Sequence, residues 1–98
     1  MIRDEIRILV KQALTNAQAA GDIPQFAAPE VTIEQPQRAE HGDFSANLPL
    51  RIQGLAKMKA IEVAEALRNH VPNHTAISEI TLAPPGFLNL YQIGRAHV

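Results

Sequence analysis

Cysteine and tryptophan are both absent from the 98 residues. Without a thiol there is no disulfide framework and no thiolate metal site. Aromatic residues are scarce at 4%, limited to Phe26, Phe44, Phe87 and Tyr91, so the core must be built from Ile, Leu, Val and Ala. A surplus of charge is missing too, with a formal net charge of -1. Strongly binding nucleic-acid modules carry a positive surface that displaces counterions. The charge argues against that class but not against a weakly contacting RNA domain, and no DNA partner is expected. No apolar run approaches the roughly 20 residues of a membrane span. Arg3, Asp4, Glu5 and Arg7 interrupt any signal-like start. The expectation is a cytoplasmic protein with no membrane partner.

What is present is apolar sequence with regular spacing. Hydrophobic residues make up 46% of the chain, enough for one domain with a modest core. In IRDEIRILVKQALTNAQAAG, the residues Ile2, Ile6, Leu9, Val10, Ala13, Leu14 and Ala17 recur at intervals of three and four. This is one face of an amphipathic helix, with Gly21 as its stop. Arg3, Arg7 and Lys11 form a basic stripe on another face of that helix. A solvated surface is the default reading of such a stripe, and phosphate contact the alternative.

Residues 30–34 alternate with period two and predict a short strand with Val31 and Ile33 inward. A polar loop over 35–42 leads to a second short strand at 43–45. Asn47 is a candidate N-cap, and Pro49 fits the first turn of the helix that follows, where a missing N–H costs little. Leu48, Ile52, Leu55 and Ala56 keep helical spacing there, although Gly54 weakens it. A further helix is predicted from about Lys59 to His70, with Ile61, Ala64, Leu67 and Val71 inward. The final stretch reads as two strands joined through Pro84-Pro85-Gly86, an antiparallel hairpin. The order predicts an α+β fold in two layers: a small, mostly antiparallel sheet with helices packed on one face.

Chemistry is thinly represented. His70 and His74 have the spacing of two ligands on one helical face, but Pro72 lies between them and no third ligand follows. No metal site is expected. His41, Asp43 and Ser45 are the residue types of a hydrolase triad, yet three such near neighbours on one turn rarely meet as nucleophile, base and orienter. Asp43 reads instead as a residue bonding nearby backbone N–H groups. No catalytic residue is assigned. Arg51, Lys57 and Lys59 form a local basic patch suited to an RNA backbone.

Two stretches carry more. His41-Gly42-Asp43-Phe44-Ser45-Ala46-Asn47 resembles the signature near the start of arginyl-tRNA synthetases, and a helix containing Leu55-Ala56-Lys57 follows it, as in that family. Pro85-Gly86-Phe87-Leu88-Asn89-Leu90 is similar to that family's Pro-Gly-Phe-(Ile/Leu)-Asn strand. Ile61 to Leu67 looks like the family's Ile- and Ala-rich helix. The resemblance covers about residues 1–92 and implies the family's N-terminal additional domain, which leans on the D-loop or elbow of the tRNA.

The resemblance also implies a parent enzyme, arginine–tRNA ligase, that joins arginine to tRNA-Arg with ATP and magnesium. Its catalytic domain is not represented among these residues, so no cofactor is expected in this fragment. The implied partners are tRNA-Arg, bound weakly by the fragment alone, and the remainder of the synthetase in cis. Asn89, Tyr91 and Gln92 are the nearest candidates for tRNA contact, with Arg51, Lys57 and Lys59 behind them. Phe87 and Leu88 are expected in the core. Gly42, Asp43, Asn47 and Gly86 are expected to shape turns. A freestanding small α+β module that binds RNA or protein is the alternative.

The sequence departs from the family in three places, one of them Pro49, which is unusual inside the helix that follows the signature. Lys59-Ala60 stands where Asn-Pro is common before the second helix, which predicts a weaker cap. The last residues, Ile93 to Val98, read IGRAHV, do not continue into the family's linker helix, and match a translated sequencing adapter. The domain is therefore expected over 1–92, with 93–98 a non-native tail.

Overall fold

A computed structural model of the chain describes residues 2–93. Of the expected tail, everything after Ile93 lies outside the described residues. The elements are α1 (Ile2–Ala20), β1 (Ile33–Glu34), β2 (Phe44–Ala46), α2 (Leu48–Ala56), α3 (Ala60–His70), β3 (Ile77–Ala83) and β4 (Phe87–Gln92), with a 3-10 turn at Ala39–His41 before β2. The strands form one sheet in the order β1-β2-β4-β3, antiparallel throughout. This is the expected two-layer α+β architecture. No helix among the described residues is long and apolar enough to cross a membrane.

The core follows from the two periodicities. Ile6, Leu9, Val10, Ala13, Leu14 and Ala17 are all buried along α1. Phe44 and Ala46 of β2 and Leu88 and Leu90 of β4 turn the same way as one another, onto the helices. α3 packs against α1, α2 and the β3–β4 hairpin. It does so through Ala60, Val63, Ala64 and Leu67, the i, i+3, i+4, i+7 set of a helix starting at Ala60. Ile61 is thereby turned outward and is 37% exposed, and Leu55 of α2 is 51% exposed, so neither is the core residue its spacing suggested.

Three local outcomes differ from expectation for stated reasons. The first strand shrinks to Ile33–Glu34, since its partner β2 spans only three residues between the 3-10 turn and α2. Val31 stays buried as part of an extended strap. Asn47 precedes α2 with φ -98° and ψ 13°, not the extended backbone that lets an N-cap side chain reach back, and it makes no side-chain cap bond. Its carbonyl instead accepts from the Leu50 and Arg51 N–H groups at 3.0 and 3.3 Å. At α3 the missing Asn-Pro is offset by Glu62, whose Oε1 accepts the Lys59 N–H at 3.1 Å, half of a capping box.

Candidate functional site

Strand β4 alternates. Leu88 and Leu90 enter the core, so Phe87, Asn89 and Tyr91 project from the opposite face of the sheet, which carries no helix. The strand register places Ser45 beside Asn89, Asn89 beside Thr81, and Glu34 beside Ser45. A polar row therefore crosses the helix-free face in the middle of the sheet.

The 35–43 connection folds over one end of this face. Tyr91 Oη donates to the Glu40 carbonyl at 2.8 Å, and Asp43 Oδ2 accepts the Gln92 N–H at 2.7 Å. The Asp43 N–H donates to the Leu90 carbonyl at 2.9 Å. Gly42 passes so close to β4 that an added Cβ would lie 2.9 Å from the Leu90 carbonyl oxygen, and its φ of +88° is one that L side chains rarely adopt. At the other end of β4, a Cβ on Gly86 would meet the Ala60 Cβ at 2.5 Å, so the hairpin turn rests directly on the start of α3.

Between the overhanging connection and the hairpin lies a cavity of about 350 Å³, lined by Glu34, Pro36, His41, Ser45, Phe87 and Asn89 among others. Asn89 is only 7% exposed. The lining combines a planar apolar ring, a carboxamide with two donors and an acceptor, a hydroxyl and, at the rim, a His and a carboxylate. Such a surface suits a small flat ligand with hydrogen-bonding edges.

The expected contact residues are thus separated. Asn89 lines the cavity. Tyr91 lies beyond it, next to Glu79 in the register, with its hydroxyl holding the 35–43 connection. Gln92 falls on the Leu90 side of the alternation, and its N–H is taken by Asp43. Arg51, Lys57 and Lys59 belong to the helical layer, on the far side of the sheet from Asn89. Arg51 Nη1 donates to the Glu30 carbonyl at 2.6 Å, while Lys57 closes α2 in the left-handed region at φ +56°.

Phe87, expected in the core, is half-buried on the cavity wall, while Leu88 is fully buried. The period of two was the available signal, because it places Phe87 with Asn89 and against Leu88. Asp43 bonds β4, far along the chain, as well as ending the turn at which it sits. His70 is held by Asp22, with Nε2 2.6 Å from Oδ2, and His74 Nδ1 accepts the Ala76 N–H at 3.0 Å. Among the described residues no cluster of three or more His, Cys, Asp or Glu has the arrangement of a metal site.

Comparison with known proteins points in one direction. A family model described as the arginyl tRNA synthetase N terminal domain matches residues 4–91. An arginine–tRNA ligase of Pseudomonas putida strain F1 is 37% identical over 91 residues, and that of Stutzerimonas stutzeri strain A1501 is 36% identical over 91. Each alignment covers 93% of this chain and 16% of the relative, so the chain spans about a sixth of the length of these ligases. Among solved structures, the arginyl-tRNA synthetase of Plasmodium falciparum superposes with a TM-score of 0.73 at 18% identity, over 93% of this chain and 16% of that one. The Thermus thermophilus enzyme gives 0.69 at 17% identity, over 94% and 14%. At these identities the two structures establish the fold alone.

Proposed function

The chain belongs to the arginyl-tRNA synthetase N-terminal domain family, and from that membership we propose that it is the tRNA-contacting front domain of an arginine–tRNA ligase. On this reading it touches the D-loop or elbow of tRNA-Arg and performs no chemistry itself. Activation of arginine with ATP and magnesium falls to the remainder of the ligase in cis, and the location is the cytoplasm. The observation that carries the proposal is the family match over residues 4–91.

The helix-free face supports it by supplying a receptor for one base. Phe87 offers a ring for stacking, and Asn89 presents hydrogen-bonding groups to the base edge. Tyr91 acts through the 35–43 connection, which it holds in place over the cavity. The near-neutral charge of the chain fits weak binding by the isolated domain.

The test is a titration of the 98-residue chain with a tRNA-Arg transcript and with the same transcript carrying a replaced D-loop. The native transcript is expected to bind more tightly. Phe87→Ala and Asn89→Ala are each expected to weaken it by about 1–3 kcal/mol while leaving the D-loop-replaced transcript unaffected. Equal affinity for the two transcripts, or no binding of either, removes the proposal.

A further inference from the structure

The basic stripe of α1 is left unused by the helix-free face, and the fold gives it company. Arg7 and Lys11 line a cavity of about 290 Å³ together with Pro29, Glu30 and Val31 of the strap that precedes β1. Arg51, from α2, reaches the same strap and donates Nη1 to the Glu30 carbonyl at 2.6 Å. Arg3 begins the stripe and donates Nη2 to Gln35 Oε1 at 2.8 Å. Gln35 adjoins Pro36, which lines the cavity on the helix-free face. Four cations from two helices therefore border one run of backbone that starts at the rim of that cavity.

The acids nearby are fewer. Asp4 lies 4.0 Å from Arg7 in an exposed i,i+3 pair, and Glu30 shares the lining with Arg7 and Lys11. Among the described residues Lys11 and Arg51 have no carboxylate within ion-pair distance. Successive members of the stripe are four residues apart, about 6 Å along a helix axis. That step is comparable to the spacing of phosphates along a single strand, and a row of cations at such intervals suits a backbone better than a single anion.

We propose that Arg3, Arg7, Lys11 and Arg51 form a track for the sugar–phosphate backbone of the tRNA whose base enters the sheet-face cavity. The inference rests on the functional reading above and adds a second contact to it. Phosphate contacts position a nucleic acid without reading its sequence, whereas the cavity contacts one base. The track is thus sensitive to salt and indifferent to the D-loop sequence.

The experiment measures the affinity of the 98-residue chain for the tRNA-Arg transcript across a salt series. Arg7→Gln/Lys11→Gln is compared with Arg68→Glu, a control of equal charge change on α3. All three positions lie at the surface or half-buried, and melting curves check that both variants fold. Loss of two phosphate contacts is expected to lower the slope of log K against log salt by about 1.5–2 in the first variant only. The same loss is expected with the D-loop-replaced transcript at whatever affinity it retains. An unchanged slope in Arg7→Gln/Lys11→Gln, as when the stripe faces protein in the remainder of a ligase, overturns the track and leaves the base-binding reading intact. An equal fall in both variants shows a general charge effect and also overturns it. If the unaltered chain does not bind the transcript at all, both proposals fall together.

Discussion

Gly42 and Asp43 are adjacent in the chain and do different jobs at one crossing of two segments. Gly42 supplies a backbone at φ +88° with room for the Leu90 peptide and for nothing more. Asp43 supplies an acceptor for the Gln92 N–H at the end of the central strand. Gly42→Ala combines left-handed strain with a contact against rigid backbone, and is expected to cost about 2–4 kcal/mol of unfolding free energy. Asp43→Ala removes an acceptor from a half-buried donor and should cost about 1–2 kcal/mol. Urea unfolding of both variants checks the ranking, and an Asp43→Ala midpoint equal to that of the unaltered chain would exclude a structural role for its carboxylate.

At the scale of the element, α2 shows how a helix end can be set by position and not by residue type. Lys57 holds φ +56°, a conformation usually given to glycine, because both its own N–H and that of Met58 at 3.2 Å close onto the Gln53 carbonyl. The side chain is exposed. Lys57→Gly is therefore expected to stabilise the domain by about 0.5–1 kcal/mol, read as a rise of a few degrees in the melting midpoint. A lower midpoint would mean that the lysine stem makes a stabilising contact. The α3 start behaves comparably: the glutamate three residues on, and not the residue at the cap, supplies the bond.

At the scale of the whole molecule, the last strand in sequence is a central one in space. β4 pairs with β2 on one side and β3 on the other, so β2 and β3 never touch through the ladder. It also contributes Leu88 and Leu90, both fully buried. A chain ending at Ala83 keeps α1, α2, α3, β1, β2 and β3, yet loses the element that joins them. Such a truncation is expected to show no cooperative thermal transition and poorly dispersed amide NMR signals. A cooperative melt from that fragment would show that the helical layer folds without the sheet.

The sequence by itself determined the class, the order of the elements and most of the core, because the periods of 3.6 and 2 are local consequences of backbone geometry. Ile6 to Ala17 along α1 and Leu88 with Leu90 along β4 are legible in that way. Ile61 and Leu55 were misplaced by the same reasoning, since a periodic set does not say where its helix begins or how its neighbours tilt. Only the tertiary structure decided the candidate site. Asp43 with Gln92, Tyr91 with Glu40, and Arg51 beside the α1 stripe are pairings across 49, 51 and, through Glu30, 21 residues of chain. The first two exist because β4 inserts between β2 and β3, a choice made by the burial of Leu88 and Leu90 against the helical layer and invisible to any short window of sequence.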